Sequence, residues 1–252
     1  MSNSTQRFSD RVENYVKYRP DYPAQVIELL RSECGLAPHS IVADIGSGTG
    51  IFARLLLATG CSVYGIEPNA PMRKAAENLL VGYDAFVSVD ATAEATTLPD
   101  NSVHLITCAQ AFHWFDLALC KREFSRLLQP GGFIVLLWNE RRVEATSFLR
   151  GYEQLLLDFA TDYEQVNHTQ IDDAVLKDFY APRGFSKRTF ENRQWFDYDG
   201  LEGRLLSSSY TPGPGHPNYR PMLHALRGLF EAHQQNGKVS FDYDTNIYWS
   251  AP

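Results

Sequence analysis

The sequence predicts an α/β fold built on parallel strands, and three observations carry that prediction. Short apolar runs alternate with helix-patterned segments from Ile41 to Trp138. The first run enters a glycine-rich turn, Ile41-Val-Ala-Asp-Ile-Gly-Ser-Gly-Thr-Gly50. The next run, Val63-Tyr-Gly-Ile-Glu67, leaves a carboxylate at its tip. Strand, glycine turn, helix, strand and acid make half of a nucleotide-binding unit.

The elements follow in order. Residues 1–23 are polar and aromatic, and Pro20 and Pro23 end a helix beginning around Ser9. Ala24 to Arg31 sets Val26, Ile27, Leu29 and Leu30 at helical spacing ahead of the first strand, Ile41 to Ile45. Ile51 to Gly60 has helix-forming composition and stops at a glycine. After the second strand, Pro71 to Leu80 is a crossover helix with its proline in the first turn. Ala85 to Val89 and Val103 to Cys108 are the third and fourth strands. Leu117 to Leu128 is a helix closed by Gln129-Pro-Gly-Gly132, and Phe133 to Trp138 is apolar throughout, as a strand buried on both faces requires. From Asn139 the alternation breaks. Helices are expected over 147–159, 171–179, 201–210 and 219–235, with strands over 185–196 and 239–249.

Glycine spacing narrows the ligand. A dinucleotide fingerprint needs glycine where Ile51 stands, and no Gly-Lys-Ser/Thr follows to make a phosphate loop. Asp44, just before the turn, repels phosphate and attracts a cation such as an amino group. Glu67 can accept two hydrogen bonds from a ribose diol. A ribose, a positive centre and no phosphate describe S-adenosylmethionine.

Asp44-Ile-Gly-Ser-Gly-Thr-Gly50 with Glu67-Pro-Asn resembles the first two motifs of class I S-adenosylmethionine-dependent methyltransferases. Ala109-Gln-Ala-Phe-His-Trp-Phe-Asp116, Tyr18-Arg-Pro-Asp-Tyr-Pro23 and Ser207-Ser-Ser-Tyr210 resemble the type 11 branch, near the trans-aconitate methyltransferase-like proteins. The resemblance runs from about Phe8 to Trp249. It implies a Rossmann-like fold with a mostly parallel seven-stranded sheet, an antiparallel last strand and a helical cap. Residues 24–140 would be the cofactor-binding core. Residues 1–23 and 141–252 would supply an N-terminal lid, cap helices and the last strands of the sheet.

Composition excludes other classes. The 252 residues carry a formal net charge of −7, with no visible Lys/Arg patch for nucleic acid. No segment approaches a membrane span, and the N-terminus lacks the apolar core of a secretory signal. Cys34, Cys61, Cys108 and Cys120 are scattered, which fits reduced cytoplasmic thiols rather than a metal site. The expected partner is a small-molecule methyl acceptor, with the chain a monomer or homodimer and with no metal, nucleic acid or membrane.

Ligands in open sheets bind beyond the carboxyl ends of the strands. Asp44, Gly46, Ser47, Gly48 and Gly50 are therefore candidate cofactor residues, against the competing reading of a turn needed only for packing. Glu67 is the candidate ribose ligand, and Pro68 and Met72 resemble the family's turn beside the adenine. Thr92, Ala93 and Glu94 resemble its adenine-edge loop, with Asp90 an alternative there. Ala109 and Gln110 are expected at the cofactor's methionine end. His113 and Trp114 follow, where aromatic walls exclude water and favour a cation. His113 is the candidate general base when the acceptor arrives protonated; the competing reading makes it a pocket wall. Tyr15, Tyr18 and Arg19 are candidate lid and substrate residues, as are Ser207 and Tyr210. The acceptor expected first is a carboxylate or hydroxyl oxygen; a quinone-like or phenolic ring carbon and a non-catalytic cofactor-binding role are the alternatives.

Overall fold

The computed structural model describes residues 11–163 and 171–250. The helix start near Ser9 and the first ten residues of the expected lid lie outside them.

The seven strands are β1 Ile41–Ile45, β2 Ser62–Ile66, β3 Phe86–Val89, β4 Val103–Ala109, β5 Leu128–Arg141, β6 Phe185–Phe196 and β7 Val239–Ser250. They form one sheet in the order β3-β2-β1-β4-β5-β7-β6. β1 to β5 run parallel, whereas β7 pairs antiparallel with both β5 and β6. The expected edge arrangement therefore holds, with the final strand inserted between β5 and β6.

Helices are set by their caps. Helix α2 (Ala24–Cys34) ends at Gly35, whose φ of 67° is the left-handed conformation that glycine adopts freely. Helix α4 (Ala70–Leu79) starts where the Asn69 side chain accepts from the Met72 amide, with Pro71 in its first turn. Helix α8 (Tyr198–Leu206) begins three residues earlier than its apolar pattern implies, because Asp197 caps it by accepting from the Gly200 amide at 2.8 Å. It also ends at Leu206 and releases Ser207 to Tyr210 into a loop. The Gln129-Pro-Gly-Gly132 stretch lies inside β5 rather than before it, at a register shift opposite Val103 and Leu105.

Hydrophobic cores cover both faces of the sheet. One gathers Ile45, Ile106, Phe112, Phe124 and Trp138; the other gathers Leu30, Val42, Phe52, Leu56 and Val63. A third core, including Phe148, Tyr152, Leu201, Met222 and Phe241, joins α6 (Ser147–Phe159), α8 and α9 (Tyr219–His233) to β7. Helix α1 (Val12–Tyr18) is held against α8 by Arg11, which donates to the carbonyls of Leu206 (3.1 Å), Ser208 (2.6 Å) and Thr211 (2.6 Å). These carbonyls lie at and just beyond the end of α8, where backbone acceptors lack helical partners. The Asp21 carbonyl accepts from Asn192 at 2.7 Å and from Asn139 at 3.3 Å, which fixes the chain after α1 to β6 and β5.

Candidate active site

Strand order reverses between β1 and β4, and an open sheet leaves a crevice at such a point. The turn after β1 fills its floor. Gly46, Gly48 and Gly50 have φ of 67°, 55° and 80°, the region that side chains rarely occupy. A Cβ on Gly46 would lie 2.5 Å from the Ala111 Cβ, and one on Gly50 would lie 2.9 Å from the Leu80 side chain, so packing demands both glycines. Gly48 differs: its Cβ would meet nothing nearer than the Gly46 carbonyl at 4.0 Å.

Glu67 follows β2 and reaches back over this turn. Its Oε2 accepts from the Gly48 amide at 3.0 Å and its Oε1 from the Asn69 amide at 2.9 Å. Burial holds its carboxyl above the usual range, with those two amides pulling the other way. Asp44 is fully buried beneath the turn. Its Oδ1 accepts from the Thr107 hydroxyl at 2.7 Å, while Oδ2 has no hydrogen-bond partner among the described residues. Burial first, and then the Glu67 charge, raise its pKa to about 7 against the Thr107 bond.

Two cavities open from the turn. The smaller, about 150 Å³, runs from Glu67 past Asn69 and Met72 to Thr92, Ala93 and Glu94. The larger, about 420 Å³, lies toward the cap, among Arg19, His113, Arg141, Arg204 and Tyr210. They share Gly46, Gly48, Ala109, Gln110 and Trp114, with Tyr15 in the wall of both. At this junction Gln110 takes φ of 60°, a strained conformation for a non-glycine residue. It is held there by its amide donating to the Leu137 carbonyl at 2.9 Å and its side chain to the Asn139 carbonyl at 3.3 Å.

Most residues singled out in the sequence meet here. Ser47 joins the wall of the larger cavity and Pro68 that of the smaller. His113 stands on a 3₁₀ turn, Phe112–Trp114, with the Trp138 indole N–H 3.5 Å from its Nδ1. Five candidates lie elsewhere. Asp44 and Gly50 sit behind the turn rather than in a cavity wall, and exposed Asp90 pairs with Arg73 at 2.6 Å. Tyr18 packs on Gly203, and the buried Ser207 offers its carbonyl to Arg19 at 3.1 Å. Sequence reading missed Arg141, Arg204, Glu153 and Tyr163 in the larger cavity. Two signals were available: Arg141 follows the apolar run of the fifth strand, and Arg204 interrupts the apolar face formed by Leu201 and Leu205.

A methyltransferase-domain family model matches residues 43–136, from β1 into β5. An uncharacterized methyltransferase of Mycobacterium tuberculosis is 36% identical over 134 residues, 53% of this chain and 52% of its own, so the match spans about half that relative's length. An uncharacterized methyltransferase of Geobacillus thermodenitrificans is 33% identical over 192 residues, 71% of this chain and 84% of that one.

The chain belongs to the methyltransferase family.

Solved structures agree on the fold of this methyltransferase-family chain. A candidate type II methyltransferase of Anaeromyxobacter dehalogenans superposes with a TM-score of 0.65 at 21% identity, covering 92% of this chain and 97% of that one. A methyltransferase of Geobacter sulfurreducens, solved in complex with S-adenosyl-L-homocysteine, matches end to end with a TM-score of 0.55 at 16% identity.

Proposed function

We propose that this chain is an S-adenosylmethionine-dependent methyltransferase that acts on a small molecule, at a carboxylate or hydroxyl oxygen. The observation that carries the reading is the pair of cavities meeting at Gly46, Gly48 and Gln110. In this reading a nucleoside would occupy the smaller one and an acceptor the larger, so that a reactive group at the junction faces both.

The donor set suits this cofactor. Glu67 would hold the ribose diol, using the lone pairs that Gly48 and Asn69 leave free. Met72 and Ala93 would flank the adenine. Gly48, with nothing against its Cβ position, admits a ligand to the main chain. Asp44, whose Oδ2 has no hydrogen-bond partner among the described residues, would supply negative potential beneath the turn once ionised. Bound there, the cofactor supplies an electrophilic methyl group. The protein aligns and dehydrates: Tyr15, Trp114 and Tyr210 wall the chamber, and α1 lies over it. His113 is the base we assign for a hydroxyl acceptor. A carboxylate acceptor needs none.

In this reading residues 24–140 form the cofactor core and the remainder forms lid, cap and final strands. The trans-aconitate-like branch and a cytoplasmic location rest on the sequence motifs and the scattered cysteines. The test is thermal denaturation with S-adenosylhomocysteine, followed by transfer of a labelled methyl group to candidate acids and phenols. Stabilisation by the ligand is expected through mass action. No shift at millimolar ligand overturns the cofactor reading. A shift without turnover on any acceptor returns the non-catalytic alternative.

A further inference from the structure

The larger cavity gathers three guanidinium groups. Arg19 follows α1, Arg141 ends β5 and Arg204 lies on α8. Arginine is seldom buried unless paired, yet Arg204 is 6% exposed and the Arg141 side chain 10%. Their partners in the protein cover the charge only in part. Arg141 is ion-paired with Glu153 and donates to the Tyr163 hydroxyl at 3.0 Å. Arg204 donates to the hydroxyls of Tyr243 (3.3 Å) and Ser208 (3.2 Å), both uncharged. Arg19 donates to the Ser207 carbonyl and stacks over the Tyr15 ring at 4.8 Å.

The Nε–H groups of Arg19 and Arg141 are sealed from solvent and have no hydrogen-bond partner among the described residues. The Tyr152 hydroxyl, whose ring lies under Arg141 at 4.9 Å, shares that condition. Unmet buried donors are costly, so a small turn of the Arg19 or Arg141 guanidinium toward an acceptor in the cavity would be favoured. Glu140 is the other carboxylate of this wall. Three cations thus face two carboxylates, leaving one positive charge uncovered. The field acts on neighbours: burial, then the like charge of Arg204, weakens the hold of Arg19 on its proton. Burial raises the Tyr210 phenol, but Arg141, Arg204 and Arg19 together outweigh it and bring it below its ordinary value.

We propose that the methyl acceptor is a small organic acid whose carboxylate is anchored by Arg19, Arg141 and Arg204, with the methyl-accepting atom elsewhere on the same molecule. The inference rests on the methyltransferase reading and narrows its acceptor. A single carboxylate matches the one uncovered charge. Guanidinium N–H groups occupy its lone pairs and neutralise it, so it makes a poor nucleophile there and a good anchor. Arg19 and Arg204 come from the lid and cap elements and Arg141 from the end of β5, and the glycine turn also lines the cavity. An acceptor held by its acid at one end therefore presents its other end to the turn.

The test uses the full chain saturated with S-adenosylhomocysteine, and a matched set of aliphatic and aromatic hydroxy acids with their amides and phosphate esters. Calorimetry should find an acid that binds while its amide does not. Arg204→Gln and Arg19→Gln should each weaken that acid by about ten- to a hundredfold, with S-adenosylhomocysteine affinity unchanged. That unchanged affinity reports that the variant has folded, and Arg19→Gln serves if Arg204→Gln does not fold. Labelled product should keep its negative charge at neutral pH. An amide or phosphate ester binding as well as every acid, or a product that is the neutral methyl ester, overturns the anchor while leaving the cofactor reading intact. Failure to bind S-adenosylhomocysteine overturns both.

Discussion

The ring of Tyr18 lies so close to Gly203 that a Cβ on that glycine would sit 2.0 Å from its Cε2. This contact seats α1 on α8, and Tyr15, one helical turn earlier, thereby reaches the wall of both cavities. Gly203→Ala should push the lid outward at a cost of about 1–3 kcal/mol, seen as a lower unfolding midpoint and weaker S-adenosylhomocysteine binding. Adding Tyr18→Ala should recover part of that stability, because the pair couples directly.

The two ligand-side glycines separate by the same reasoning. Gly46→Ala collides with Ala111 and should lower stability most. Gly48→Ala has open space but accepts a strained φ, a cost of about 1–2 kcal/mol. Its added methyl group should instead abolish S-adenosylhomocysteine binding. Paired denaturation and calorimetry on the two variants check this ordering.

Glu67 fastens the turn to the tip of β2 while facing the smaller cavity. Removing charge-assisted bonds of this kind costs about 1.5–3 kcal/mol each. Glu67→Ala should therefore weaken S-adenosylhomocysteine by at least about tenfold. An unchanged dissociation constant removes Glu67 from the site.

Asp44 gives a pH dependence whose sign is fixed. Its carboxyl rises from the ordinary 3.8 to about 7 on folding, so between those values the folded state binds the extra proton. Its stabilising contribution is complete below the unfolded value and is lost as pH rises through about 7. Ligand-free protein should lose stability from about pH 4 to about pH 7 by this route, and Asp44→Asn should flatten the curve. Urea denaturation of both proteins across that interval measures the difference. Glu67, also raised, acts in the same direction in both proteins.

His113 lines the larger cavity. If the accepting oxygen is a hydroxyl, His113→Gln should lower kcat by about a hundredfold or more while leaving S-adenosylhomocysteine affinity alone. A variant with full kcat makes His113 a wall residue.

Much of this was written in local sequence. Ile41 to Ile45 is apolar apart from Asp44 because a central parallel strand is buried on both faces, and a turn needing positive φ three times calls for glycines. The smaller cavity follows, since its residues lie at the ends of successive strands and are read in chain order. Helix ends were legible only where caps were weighed, and Asp197 moved α8 away from the span its apolar residues implied.

The larger cavity was decided by tertiary structure. Arg19, Arg141 and Arg204 are separated by more than a hundred residues in all, and nothing in their immediate neighbours marks them as a group. They meet because β7 inserts between β5 and β6, and because Tyr18 on Gly203 and the Arg11 hydrogen bonds bring α1 onto α8. The sequence by itself determined the fold class and the ligand-facing turn, which rest on periodicity and backbone conformation. The charge inside the second cavity came from long-range packing, which alone decides which cations line one cavity.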